Sequence, residues 1–469
     1  FFEAEKSFLL KRELQDSYAK KNTNLPDSLI SREDFLKRGI SHNQNLIFIE
    51  SDSESNFSKE LSSKVFSLKR ELESLLNEIE TNYPSYYTLK YQNTRSSLAS
   101  IQDDLSVNTM AIEYYQHKDH IYSISITKDR VNFLYQKSIK FEEKVHEFNK
   151  AIESSDIGAF VGLSYELHNT LMASHNYENY AQILLIPSKD IAFLSFDALI
   201  STNNDSPSYN KLEYLIKTHS FSYNNSLQKN NIEQGTASSL YLGISPNFST
   251  NKYANLNGAI KEVERISEKL NGDLLINENA TKERLLEAIP NYRILHFASH
   301  AELNTSNSAY SKIILSATKE DSLSDQLYAY EIQNSKLNAD LVILSACNTG
   351  VGELLLGEGI ASLARSFNYA GAKSVLVSLW AIPDYSTSKI INNFFDNLST
   401  QNKAMALQQA KIKYLKTADE HLSNPIYWAG LIINGDDSPI LFKEEVDWKI
   451  LYLIMGILFV GVLFWRKNL

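Results

Sequence analysis

The chain has 469 residues, a formal net charge of −10, 43% apolar residues and 22% charged residues. That suits roughly two to four globular domains, each with a core of its own. No long basic tract is present, so nucleic-acid binding has no electrostatic footprint. A single cysteine, Cys347, excludes an intramolecular disulfide and a thiolate zinc site. The chain begins Phe1-Phe2-Glu3, with neither Met nor a signal-peptide pattern, and reads as part of a longer protein.

Residues 1–105 read as helical. FFEAEKSFLLKRELQDSYAKK sets Phe8, Leu9 and Leu14 in a charged background. FSKELSSKVFSLKRELESLLNEIETNYP carries Leu61, Val65, Phe66, Leu68, Leu72, Leu75, Leu76 and Ile79 close to a 3.6-residue period, and Pro84 closes it. A break is expected between them at PDSLISREDFLKRGISHNQN. The region is either a helical packing layer or the end of a helical repeat array, though it shows no repeat period of its own.

From about residue 107 strand-like and helical runs alternate. NTMAIEYYQHKDHIYSISITKDRVNFLYQK reads as strands joined by the turn His117-Lys118-Asp119. AQILLIPS, IAFLSFDALI, SLYLGISP, RILHFASH, LVILSAC, SVLVSLWAI and YWAGLIING follow, several of them continuous apolar runs of the kind buried on both faces. Between them GAIKEVERISEKLNG ends on Asn271-Gly272, ATKERLLEAIP has Thr281 as N-cap and stops at Pro290, and EGIASLARSFNYAG ends at Gly371. Strand and helix in alternation predict an α/β fold with a mostly parallel sheet, whose sites form at the carboxyl ends of strands.

Beyond a linker at 437–447, Ile450–Trp465 (ILYLIMGILFVGVLFW) carries no charge. Its 16 residues reach roughly 24 Å as a helix, slightly short of a bilayer core. Trp448 and Trp465 bracket it, with Lys449 before and Arg466-Lys467 after. The expectation is a single-pass transmembrane helix over 448–466; a buried core helix is the alternative. Lys443 and Lys449 on one side balance Arg466 and Lys467 on the other, so orientation stays open.

The lone thiol ends the run LVILSAC and precedes an Asn-Thr-Gly turn. A cysteine attacks as thiolate, and a free thiol ionises only near pH ~8.5 unless an imidazole lies within reach. His300 stands where RILHFASH runs out, 47 residues before Cys347, with room for one crossover between two neighbouring strands. The alternatives are a small buried cysteine and a strand-end histidine satisfied by backbone. His296 shares a face with His300 but lies roughly 13 Å deeper along the strand, too far to share one thiol, and reads as structural. The backbone N–H groups of Cys347 and Ala301 are candidate donors for an oxyanion. Gly350, Gly352 and Gly357 lack the spacing of a phosphate loop, and Glu353 and Glu358 oppose an anion there.

HFASHA, LVILSACNTGVGE, EGIASLARSFNYAGAKSVLVSLWAIPD, ALQQAKIKYL and NPIYWAGLIINGD together resemble the CHAT family of caspase-like cysteine peptidases. That family is related to separase and the caspases and often follows tetratricopeptide repeats. The likeness runs from about Leu105 to Gly435 and is strongest from Ile294 to Asp384. It implies a caspase-like domain over 106–436, with an N-terminal part at 106–235 and a part carrying the dyad at 236–436. It implies His300 as general base and Cys347 as nucleophile, at close to the separation of about 50 residues seen in caspases. Where the family usually has Gly after the histidine, this chain has Ala301, and alanine resists positive φ. Asp384, after SVLVSLWAI, would either line the pocket for the residue before the scissile bond, favouring a basic one, or cap a helix with Ser386 and Thr387. The expected function is a membrane-anchored cysteine endopeptidase with a protein substrate or activator, needing no metal or cofactor. A non-catalytic scaffold and a small-molecule acyl-transfer enzyme are its rivals.

Overall fold

The computed structural model describes residues 15–442, apart from 17–18, 21, 51–54, 92–96, 204–207, 228–236, 249–252, 254–255, 305–306, 318–324 and 346–362. Helices Asp27–Ile49 and Asn56–Asn82 pack together at the front, followed by short helices Pro84–Tyr91 and Leu98–Asp104. Ala19, Leu25, Leu36, Leu75, Ile79 and Tyr86 form a small core there.

The expected break at PDSLISREDFLKRGISHNQN is instead the helix Asp27–Ile49. Its turn-like residues are used for packing. A Cβ on Gly39 would lie 3.3 Å from Leu68 Cδ1, so the glycine allows the two long helices to approach closely. Asn43 Nδ2 donates back to the Gly39 carbonyl at 2.6 Å. Buried Glu33 is held by Lys20 at 2.8 Å and Lys37 at 2.9 Å. Pro84 opens a short helix after the long one has ended at Asn82, since proline suits a first helical turn.

Fourteen strands follow among the described residues: β1 Thr109–His117, β2 His120–Ile126, β3 Val131–Lys137, β4 Gln182–Ile186, β5 Ser220–Tyr223, β6 Ser239–Pro246, β7 Asp273–Asn277, β8 Tyr292–Phe297, β9 Ala301–Glu302, β10 Lys312–Ile314, β11 Gln326–Tyr328, β12 Leu341–Leu344, β13 Ser374–Ser378 and β14 Leu431–Gly435. Eleven of them make one sheet in the order β3-β2-β1-β4-β5-β14-β13-β12-β8-β6-β7. β13, β12, β8, β6 and β7 run parallel to one another, as do β1, β4, β5 and β14, and the two groups meet at the antiparallel pair β13–β14. β9, β10 and β11 form a separate small sheet.

The central strands are apolar on both faces because helices cover both. Every residue of β12 (LVIL) and β13 (SVLVS) is buried. IAFLSFDALI is not a strand: Lys189–Phe193 and Phe196–Ala198 are 3₁₀ turns. Its apolar side chains other than Phe193 are buried all the same, and its polar ones make tertiary ties. Ser195 Oγ donates to the Ala429 carbonyl at 2.7 Å, and Asp197 pairs with Lys411. Helix 363–370 ends at Gly371 with φ +110°, where a Cβ would stand 2.8 Å from the Leu337 carbonyl.

The fold is thus mixed α/β with N-terminal helices, and the transmembrane component of the expected architecture is corrected. No helix among the described residues is long and apolar enough to cross a membrane. The run at 448–466 lies outside those residues. A single-pass membrane localisation is therefore not supported.

Candidate active site

β8 and β12 lie side by side and parallel, pairing Leu341 with Ile294, Val342 with Leu295, Ile343 with His296 and Leu344 with Phe297. Each pair is 47 residues apart in sequence. Both ends of this register are pinned. At the amino end Asp340 takes Arg293 Nε at 2.6 Å and Lys373 Nζ at 2.7 Å, tying β8, β12 and β13 together. At the carboxyl end the Ser345 N–H donates to the Phe297 carbonyl at 3.0 Å, and Ser345 Oγ reaches the same oxygen at 3.2 Å.

His300 stands three residues past the end of β8. The Ile314 N–H donates to its carbonyl at 2.9 Å, so the small sheet holds its backbone. Its ring packs against two aromatic rings that follow β6, the strand on the other side of β8. The Phe248 centroid is 4.7 Å away and the Tyr253 centroid 5.6 Å, the latter stacked at 29°. Tyr253 Oη donates to Glu302 Oε1 at 2.5 Å, and Glu302 Oε2 lies 3.1 Å from Lys312 Nζ.

His296 is fully buried. Its Nδ1 is 2.9 Å from Tyr241 Oη, and its Nε2 is 3.3 Å from Ser345 Oγ. Glu262 Oε1 is also 2.9 Å from that Nε2, but off the line of a hydrogen bond, and the oxygen has no aligned donor. Burial, and then the charge of Glu262, push the Tyr241 phenol well above its ordinary range, so it stays neutral. His296 thus knits β6, β8, β12 and helix 257–270 together, as a structural histidine does.

Ala301 begins β9. Its pairing with Ile313 and the Ile314-to-His300 bond make Ala301 the non-bonded member of the antiparallel alternation, so its N–H points away from β10. It is not among the residues with positive φ, so the missing glycine carries no strain. Asp384 is exposed in the first turn of helix Asp384–Asn397, six residues past β13, and makes no N-cap; Pro383 takes that position. β13 pairs with β12, so Asp384 follows the strand next to the one that leads to Cys347. Cys347 and the glycine run after it lie outside the described residues. Among those described, no group of His, Cys, Asp and Glu is arranged to hold a metal.

Phe248, Tyr253, Glu302 and Lys312 were not legible as site neighbours. Phe248 had a signal, lying two residues beyond an apolar strand that must end at the same edge. Tyr253 had none, because only the tertiary fold brings it to His300.

The CHAT domain family model matches residues 162–436. Tetratricopeptide repeat protein 28 of Mus musculus and that of Homo sapiens are each 28% identical over 210 residues, covering 38% of this chain and 8% of theirs. The chain therefore spans less than a tenth of these relatives' length. Among solved structures, the Saccharomyces cerevisiae separase–securin complex overlaps 83% of this chain and 34% of its own at TM-score 0.49 and 12% identity. The Arg-specific cysteine proteinase gingipain R overlaps 64% of this chain and 75% of its own at TM-score 0.38 and 10% identity. Both overlaps are loose. The family match covers more than half of the sequence, and the chain belongs to the CHAT-domain family.

Proposed function

We propose that the chain is a caspase-like cysteine endopeptidase working through Cys347 and His300. The observation that carries this is the register of β8 and β12. Its constant offset of 47 residues equals the separation of His300 and Cys347, which supports the reading that the two stand level past the strand ends. In this reading His300 takes the thiol proton and Cys347 Sγ attacks the peptide carbonyl. The tetrahedral oxyanion accepts from the backbone N–H groups of Ala301 and Cys347. As the intermediate collapses the C–N bond breaks, and His300 returns the proton to the departing amine. Water then hydrolyses the thioester, restoring the thiol. Asp384, exposed beyond the neighbouring strand, lines the pocket for a basic residue before the scissile bond.

A second reading, a scaffold that binds proteins without cleaving them, is favoured by the curated relatives, which are tetratricopeptide repeat proteins. Labelling by an electrophilic peptidyl ketone, read by intact mass on wild type, Cys347→Ala and His300→Ala, separates the two. Labelling lost in both variants supports the peptidase; an inert wild type, with or without cell extract as a source of activator, supports the scaffold. Profiling against a peptide library then tests Asp384. A preference for an acidic or large apolar residue before the cut removes its pocket role.

A further inference from the structure

β3 is an outer strand of the large sheet, and its hydrogen-bond alternation is fixed at both ends. The Thr127 N–H donates to the Arg130 carbonyl at 2.9 Å, and the Ser138 N–H donates to the Asp119 carbonyl at 2.9 Å. The register between them is one-to-one, so Asn132, Leu134 and Gln136 are the residues that exchange bonds with β2. Val131, Phe133, Tyr135 and Lys137 turn their N–H and C=O groups outward. Among the described residues, none bonds to those outward groups.

The side chains of the same four residues share one face and are exposed. Phe133 is 60% exposed and Tyr135 50%. They continue a ladder of rings from within the sheet: the Tyr122 centroid is 5.2 Å from that of Tyr135 and 6.4 Å from that of Tyr115. Natural sheets usually blunt such an edge with a proline, a bulge or a covering segment. β3 contains no proline, its register is unbroken, and its apolar side chains stay open to solvent.

Charge decides what fits this edge. Between Lys118 and Lys140 the hairpin carries five cations, Lys118, Lys128, Arg130, Lys137 and Lys140, against only Asp119 and Asp129, in a chain whose net charge is −10. Both carboxylates are engaged within the hairpin. Asp119 Oδ1 accepts from the Lys140 N–H at 2.8 Å, and Asp129 Oδ1 accepts from Thr127 Oγ1 at 3.0 Å. A second copy fits poorly. Two β3 strands paired antiparallel about Leu134 would set Phe133 opposite Tyr135, but at both ends Lys128 and Arg130 of one copy would lie beside Lys137 and Lys140 of the other.

We propose that β3 is a docking edge for an extended segment of a partner protein. The segment adds as a twelfth strand, with apolar residues beside Phe133 and Tyr135 and acidic residues at its ends, by Arg130 and Lys137. Six strands lie between β3 and β12, roughly 34 Å at ~4.8 Å per step. A partner held there leaves the carboxyl ends of β8 and β12 open.

The test uses the whole chain and a fluorescein-labelled peptide of alternating valine and threonine with paired aspartates at both ends. Binding is read by fluorescence anisotropy, and amide exchange by electron-transfer fragmentation. The peptide should slow exchange at Val131, Phe133, Tyr135 and Lys137 and leave Asn132, Leu134 and Gln136 as they were. Phe133→Pro removes an outward N–H and no bond to β2, and should weaken binding at least about tenfold. Lys137→Glu, at an exposed position, should weaken it by about three- to tenfold and tighten a peptide that ends in lysines instead. That charge swap keeps the test decisive if the proline variant does not fold. A wild type that binds no peptide up to about 1 mM overturns the proposal. Binding unchanged in both variants also overturns it, since the peptide then sits elsewhere. A wild type that sediments as a dimer, with Phe133→Pro a monomer, overturns it in favour of a second copy.

Discussion

His175 shows what burial does to a single side chain here. It is 2% exposed, its Nε2 is 3.0 Å from Ser123 Oγ, and its Nδ1 has no partner. Burial lowers its pKa to about 4, and burial also lowers those of His168 and His219. An unfolded histidine titrates near ~6.5, so the unfolded chain binds the proton first as pH falls. The stability that neutral His175 contributes is therefore full above pH ~6.5 and lost progressively down to about 4, by roughly 3 kcal/mol. Urea unfolding of wild type and His175→Gln between pH 7 and 4 checks this: the variant should lose less stability across that window. At this scale the sequence draws attention to rare residues in telling places. A lone thiol and a strand-end histidine stand out on type and spacing. His175 and Tyr253 do not, because their surroundings come from segments distant in sequence.

Among the elements, the register of β8, β12 and β13 is the feature that matters most. Asp340 bridges Arg293 and Lys373 at the amino ends, and each of the three side chains is mostly buried. Asp340→Ala leaves two cations facing each other without their carboxylate. It should cost roughly 2–3 kcal/mol, read from denaturant midpoints, and reduce probe labelling of Cys347 by loosening the register. The strands themselves were visible as apolar runs with turn residues between them, and so was the cap at Thr281, whose Oγ accepts from the Arg284 N–H at 3.4 Å. Two segments misled, each for its own reason. IAFLSFDALI is as apolar as a buried strand, but periodicity cannot tell a strand from buried 3₁₀ turns. PDSLISREDFLKRGISHNQN contains Gly, Ser and Asn, yet tertiary packing against Leu68 and the lysine partners of Glu33 make it a helix.

Across the molecule, the described residues hold two separate hydrophobic cores, a small one among the front helices and a large one around the sheet. Helix Asp27–Ile49 reaches the sheet side: Phe48 lies 4.6 Å from Tyr310 by ring centroid, Asn45 Nδ2 is 3.5 Å from Tyr330 Oη, and Asp34 Oδ2 is 3.8 Å from Lys336 Nζ. Those tyrosines flank the small sheet that holds the His300 backbone. Two separate cores predict two calorimetric transitions. Leu75→Ala, at a buried position of the front, should lower only one of them, by about 2–4 kcal/mol. A single transition shifted as a whole would show that the front and the sheet fold as one unit.

The claim on which all of this depends is that His300 and Cys347 meet across neighbouring strand ends. Paired strands stand about 5 Å apart, inside the ~4.4–6.8 Å between Cα atoms that a disulfide spans. The measurement is intramolecular disulfide formation in His300→Cys under mild oxidation, read as a loss of about two mass units and of both free thiols, with Lys137→Cys on the far edge strand β3 as control. The account predicts rapid closure in His300→Cys and none in Lys137→Cys. Two thiols that remain free and alkylate independently in His300→Cys would contradict it.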